Sequence, residues 1–262
     1  MSASRELVSA ATDERGVTTL TLNRPDKGNA YVLAMIHRLM AEIERSGASP
    51  EVRAIVLRGA GKHFCVGGDL DDPFVHIGTG AGNEVLMPHL CLALDACPKP
   101  TIALIHGACF GGGFALMSCC DVVLAAEDSF FSLPELRLGF GVGPYIPFFA
   151  RALGARNLRR YLITAERFNA QEALAMGVAH RLYPAGAGDR ALGDMLDEVL
   201  QSAPQATAAT KRELSELADM TPSRERIDQL QIGFRRLYEA AEGVDGRASF
   251  RDRRAPPWAP KR

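Results

Sequence analysis

Two glycine-rich turns, each reached directly from an apolar β-branched run, constrain this chain more than any other feature. VRAIVLR (52–58) leads to Cys65-Val66-Gly67-Gly68-Asp69, and TIALI (101–105) leads to His106-Gly107-Ala108-Cys109-Phe110-Gly111-Gly112-Gly113. Glycine lacks a Cβ, so its amide can approach a ligand closely and its backbone can bend where other residues are strained. Paired turns of this kind at strand ends can aim main-chain N–H groups at one developing negative charge, which is what an oxyanion hole requires.

VTTLTL (17–22) and DVVLAAE (121–127) carry the same β-branched character, that of buried strands. Between the first runs, AYVLAMIHRLMAEIERSG (30–47) places Val32, Met35, Ile36, Leu39, Met40 and Ile43 on one helical face and stops at Gly47. Strand, helix and strand recur, which predicts an α/β fold with right-handed crossovers. After about residue 144 the chain turns helical: PYIPFFARALG, RNLRRYLITA, NAQEALAMG, then amphipathic stretches from Asp189 to Ala203 and Pro204 to Ala218. The Pro- and Arg-rich tail RDRRAPPWAPKR reads as irregular.

Composition narrows the function classes. Thirty basic against 31 acidic residues leave a net charge of −1, so no global field recruits nucleic acid or an anionic membrane. MSASRELVSAATDERG lacks a secretory leader's apolar stretch, and no segment approaches the roughly 18 apolar residues that span a bilayer, so a soluble cytoplasmic protein is expected. The six cysteines show no CxxC pair and no histidine at ligand spacing; reduced, buried thiols and no metal are the expectation. There is no GxxxxGK[ST] loop, the GGG run lacks the acidic partner of a dinucleotide fingerprint, and without a GxSxG elbow neither Ser118 nor Ser129 has a histidine partner in sequence.

Four segments, LNRPDKGNA (22–30), VRAIVLRGAGKHFCVGGDL (52–70), PKPTIALIHGACFGGGFALMSCCDVVLAAEDSFFSLPELRLGF (98–140) and LITAERFNAQEALAMGVAHRLYP (162–184), stand in the order and spacing of the enoyl-CoA hydratase/isomerase (crotonase) superfamily, which the chain resembles over residues 15 to 215. The resemblance implies a spiral of repeated β-β-α units over 1–195 and a helical trimerisation region over 196–262. It implies an acyl-CoA substrate, no separate cofactor, and a homotrimer or homohexamer. The amides of Gly68 and Gly112 would hold the thioester oxygen as it becomes an enolate, with Arg24, Lys27, Lys62 and Asp69 near the CoA adenine and phosphates.

Well-known hydratases of the superfamily use two glutamates. The second matches Glu135 in SLPELRLG; the first is replaced by Ala115. A single carboxylate can serve hydration if water and the α-carbon share it, or if a substrate carboxylate or another side chain helps; it also suffices to move a proton between the α and γ carbons of an enoyl-CoA. A decarboxylase, a thioester hydrolase and a non-catalytic CoA-binding protein are more distant alternatives. GVGPYIPFFARALG (141–154) and SAPQATAATK (202–211) resemble hydratases of branched, carboxylated substrates, the 3-methylglutaconyl-CoA and isohexenylglutaconyl-CoA type. A second substrate carboxylate would want a cation, and sequence cannot place Arg137, Arg151 or Arg156. The expected pocket wall is Phe74, Val75, Ile77, Met87, Leu90, Leu133, Phe140, Tyr145 and Ile146. FVHIGTGAGNEV is expected to form a flap in which His76 and Glu84 are candidate bases, while His106 is expected to be a hydrogen-bonded structural residue.

Overall fold

The β-branched runs pair as the sequence predicts. The structure, a computed structural model, describes residues 6–75, 85–139, 141–216 and 224–259. Its strands are β1 (Val8–Thr12), β2 (Val17–Leu22), β3 (Ala54–Gly59), β4 (Thr101–Ile105), β5 (Ala108–Phe110), β6 (Val122–Ala126), β7 (Phe130–Ser132), β8 (Phe168–Asn169) and β9 (Arg181–Tyr183). One sheet runs β1-β2-β3-β4-β6-β9 and the other β5-β7-β8. In the larger sheet only β1 is antiparallel; Leu20 faces Leu57, Leu57 faces Ala103 and Ala103 faces Val123 across the parallel strands. Parallel strands are covered on both faces, and every residue of β4 is buried.

Each inner strand of the large sheet turns and crosses into the second layer. β4 continues as β5 and then α3, β6 continues as β7, and two single bridges, Cys65 to Cys109 and Tyr31 to Gly68, extend that layer with the segments following β3 and β2. The helices are α1 (Leu33–Ala48), α2 (Met87–Asp95), α3 (Gly112–Ser118), α4 (Ile146–Thr164), α5 (Ala170–Ala175), α6 (Gly188–Val199), α7 (Pro204–Glu216), α8 (Arg224–Glu239) and α9 (Ala241–Arg251). The recurring β-β-α unit therefore delivers Tyr31, Gly68, Gly112 and the turn at Glu135 from four successive repeats.

α1 buries Met35, Ile36, Leu39 and Ile43, with Met40 and the preceding Val32 half-buried, and runs through Gly47 to end at Ala48. Its N-cap, Val32, offers no side-chain acceptor; Asp72 supplies one from a distance, its Oδ2 accepting from Leu33 N at 2.9 Å. That bond ties the loop after Gly68 to α1. Phe114 of α3 packs edge-on against Phe131, Phe149 and Phe168, which fixes the start of the helix behind the second glycine turn.

The two helical runs after residue 144 join as α4, broken at Gly154 by φ 71° and ψ 147°. The boundary expected at 195/196 falls inside α6, whose Leu192 and Leu196 share an apolar cluster with Ile102 and Leu124 of the sheet. Past α9 the tail is irregular yet anchored: Trp258 Nε1 donates to the Gln201 carbonyl at 2.7 Å, and Arg53 Nη1 donates to the Trp258 carbonyl at 2.6 Å. All six cysteines are free thiols, five of them buried.

Candidate active site

The segment between β2 and α1 is held by side chains before it reaches the site. Asn29 is buried with φ 57°, a left-handed conformation that asparagine tolerates better than most residues. Its Oδ1 accepts from Arg24 N at 2.9 Å, and its Nδ2 donates to the carbonyls of Ala60 (2.8 Å) and His63 (2.7 Å). Arg24 donates through Nη1 to the Ala30 carbonyl at 2.6 Å and through Nη2 to Asp69 Oδ2 at 2.8 Å. The guanidinium holds the Asp69 carboxyl below the usual carboxylate range. Tyr31 then docks on the first glycine turn, its N–H donating to Gly67 O and its carbonyl accepting from Asp69 N, both at 2.9 Å.

That pairing uses the groups of Gly67 and Asp69 and turns those of Gly68 between them to the opposite side. Gly112 is the first residue of α3, where an amide has no intrahelical acceptor. Among the described residues neither the Gly68 nor the Gly112 amide donates a hydrogen bond.

The glycine triplet is small for three separate reasons. A Cβ on Gly111, whose φ is 51°, would lie 2.5 Å from Glu135 Oε1; one on Gly112 would lie 2.1 Å from Tyr31 Oη; one on Gly113 would lie 2.5 Å from the Cys65 carbonyl oxygen. A carboxylate, a phenol and a backbone carbonyl therefore close on the turn where side chains are missing. Glu135 opens a 3₁₀ turn (Glu135–Leu138) after Pro134, and its Oε2 is buried without a hydrogen-bond partner. Burial raises the Glu135 carboxyl above the usual glutamate range. Tyr31 and Tyr145 line the same cavity as Glu135. Burial, helped by the Glu135 charge, raises both phenols, so each is a neutral O–H group.

Gly68, Gly112, Glu135, Tyr31 and Tyr145 line one cavity of about 980 Å³. Of the expected wall, Val75 and Tyr145 line it. Met87, Leu90 and Leu133 belong instead to the buried core, and Phe74 and Ile146 are exposed, because the wall is built from Leu70, Leu86, Leu138 and four prolines around the turns. Ile77 and Phe140, with the candidate bases His76 and Glu84 of the expected flap, lie outside the described residues.

The expected CoA cluster is not one patch. Arg24 and Asp69 are engaged with each other, Lys27 Nζ lies 3.7 Å from Asp71 Oδ2 on the surface, and Lys62 lines a different cavity of about 680 Å³ together with Arg58, His63 and His106. His106 Nε2 is 3.0 Å from the Gly61 carbonyl, the structural hydrogen bond expected of it. Arg137 donates to the Thr164 carbonyl at 2.8 Å, Arg151 pairs with Asp95, and Arg156 lines a separate surface hollow. Among the described residues the large cavity has no lysine or arginine in its wall; His89 is its one basic side chain. Ser118 donates to the Phe114 carbonyl at 2.8 Å and Ser129 to the Ile105 carbonyl, neither to a histidine. Sequence reasoning missed Tyr31, which neither its residue type nor its spacing marks as functional.

The profile of the enoyl-CoA hydratase/isomerase family matches residues 12–261, and the chain belongs to that family. A crystal structure of Pseudomonas aeruginosa AtuE is similar at a TM-score of 0.89 and 37% identity, covering 97% of this chain and 100% of that one. Enoyl-CoA hydratase ACTT6 of Alternaria alternata is 36% identical over 199 residues, which is 76% of this chain but 66% of that protein's length. A peroxisomal Delta(3,5)-Delta(2,4)-dienoyl-CoA isomerase of Arabidopsis thaliana is 32% identical over 195 residues, 68% of this chain and 69% of that protein. The fold is the crotonase one. Among the described residues no helix is long and apolar enough to cross a membrane.

Proposed function

We propose that the protein is an enoyl-CoA hydratase, adding water to an α,β-unsaturated acyl-CoA through an enolate. The observation that carries this reading is the convergence on one cavity of Gly68 and Gly112, whose amides have no acceptor among the described residues, and Glu135, whose carboxylate Oε2 has no donor. The amides receive the thioester oxygen as charge develops on it, and being fixed in the fold they need no reorganisation when the charge appears. Glu135 takes a proton from water and returns it to the α-carbon, so one carboxylate serves both carbons; its raised proton affinity suits both halves of that exchange. CoA itself is the only group required besides protein and water.

The apolar wall, with no lysine or arginine among its described residues, supports an uncharged acyl chain over a carboxylated one; on a carboxylated chain only His89 would meet the distal charge. For CoA's phosphates the available cations are the exposed Lys27 and Lys62, with Arg24 and Asp69 holding the loop that carries Lys27. A second reading, isomerisation of an enoyl-CoA, is favoured by Ala115 and by the likeness to a dienoyl-CoA isomerase. Turnover of a trans-2-enoyl-CoA in heavy-oxygen water separates the two: hydration places the label on the β-carbon, whereas a shifted double bond without label identifies the isomerase. Exposed Leu214, Ile232, Phe234 and Phe250 on α7, α8 and α9 support assembly into a homotrimer or homohexamer. Sedimentation at micromolar concentration tests that, and a monomer would contradict it.

A further inference from the structure

Ala115 offers nothing to orient a second reactant. It is fully buried in the apolar core with its neighbours Phe114 and Leu116 and has no place in the cavity wall. The polar group that does face the cavity beside Gly112 comes from a different repeat. We propose that Tyr31 is a catalytic residue, its hydroxyl accepting a hydrogen bond from the attacking water opposite Glu135 while donating one to Tyr145. The inference rests on the enolate reading above and deepens it.

Tyr31 is placed to do this by both ends. Its backbone is bonded to Gly67 and Asp69 on either side of the first amide donor, and its hydroxyl lies so close over Gly112, the second donor, that no side chain could stand there. It therefore spans the two halves of the hole. A phenol serving only as filler in so dry a place would be better replaced by phenylalanine, because a buried hydroxyl without a partner costs free energy. Tyr145 lines the same cavity and is the acceptor the proposal gives this hydroxyl; its ring stacks on the buried Phe149 with centroids 5.8 Å apart and 20° between planes. Both phenols are neutral, so Tyr31 orients water and keeps its own charge state.

The step balances with Glu135 as the only proton carrier. The water oxygen bonds to the β-carbon, the C=C pair moves onto the thioester oxygen, and the proton leaving water passes to Glu135 Oε2. The enolate collapses as that proton reaches the α-carbon, which restores the carboxylate and adds one water overall.

Tyr31→Phe tests the assignment through two readouts on the purified protein: hydration of a panel of trans-2-enoyl-CoAs that includes crotonyl-CoA, and exchange of the α-hydrogens of butyryl-CoA with heavy water. Exchange needs the amides and Glu135 but no attack by water. The expected result is a loss of hydration of about 10² or more, in the range of a lost acid/base or orienting group, with exchange kept within a few-fold. Hydration that stays near the unaltered rate overturns the proposal. So does a parallel loss of hydration and exchange, which would make Tyr31 a prop, and so does absence of hydration of the whole panel by the unaltered protein. Should Tyr31→Phe not fold, Tyr145→Phe decides: hydration is expected to fall about tenfold with exchange kept, and unchanged hydration overturns the idea. Glu135→Gln is the separate control. If it leaves exchange intact, the Glu135 reading fails, an outcome distinct from failure at Tyr31.

Discussion

Replacing Gly112 by alanine would place a Cβ 2.1 Å from Tyr31 Oη, 2.5 Å from its Cε1 and 2.6 Å from its Cζ. Non-bonded carbon contacts settle near 3.5–4.0 Å, so something must move by roughly 1 Å. Tyr31 has little freedom to yield, being 2% exposed and bonded through its backbone to Gly67 and Asp69. The first turn of α3 shifts instead, carrying the Gly112 amide off its line to the thioester oxygen. Losing one such donor costs about 2.7–4 kcal/mol of transition-state stabilisation, or about 10²–10³ in rate. Stability should change less: overpacking costs about 1–3 kcal/mol, and alanine's advantage over glycine in a helix returns up to about 1 kcal/mol. Exchange of the α-hydrogens of butyryl-CoA with heavy water, run beside thermal unfolding, separates the effects. The expected outcome is a rate lower by two to three decades on a protein that still folds cooperatively. A folded variant that exchanges as fast as the parent would refute the reasoning, because the amide would then be idle.

Gly111→Ala meets Glu135 Oε1 and a left-handed φ together, so it should lower both activity, by displacing the carboxylate, and stability, by about 1–2 kcal/mol of backbone strain read in chemical denaturation. The exchange rate should fall on the acid side with an apparent pKa above the ordinary glutamate value of about 4.3, because Glu135 acts as its carboxylate and burial raises its proton affinity; an acid limb at or below that value would contradict the assignment. The same shift has a signed effect on stability. Folded Glu135 binds its proton more tightly than the unfolded chain does, so stability is lost as pH rises from the ordinary value through the raised one. Glu135→Gln should therefore match or exceed the parent in Tm at neutral pH, with the advantage gone near pH 4, and a lower Tm at neutral pH would count against burial as the cause. Arg24→Ala removes hydrogen bonds to Ala30 O and to Asp69, costing about 2 kcal/mol. Since Asp69's carboxyl is held low by Arg24, that pair's contribution is present above the ordinary aspartate range and lost as pH falls through the folded value, so the variant's deficit in urea denaturation should shrink in acid.

The large sheet was legible because parallel strands buried on both faces leave unbroken β-branched runs, as at 17–22 and 101–105. β1 was not: VSAAT is short, small and partly exposed at the sheet edge, and it sits inside a stretch read only for the absence of a leader. The strands β5, β7 and β8 span two or three residues each, too few for any period to show. That second layer is what brings Tyr31, Gly68, Gly112 and Glu135 together, so the glycines and Glu135 could be singled out by type and resemblance while Tyr31 could not. Lys62 illustrates the converse. The resemblance implied a place near the CoA adenine and phosphates together with Arg24, but Lys62 faces a different cavity from the one lined by the glycines.

A crystal structure with butyryl-CoA bound gives the most direct test of the account. The thioester oxygen should lie about 2.7–3.1 Å from both the Gly68 and Gly112 nitrogens, the geometry of a working oxyanion hole, with the α-carbon facing Glu135 Oε2. A thioester turned away from these amides, or CoA seated with its acyl chain in the Lys62 cavity, would contradict the central claim.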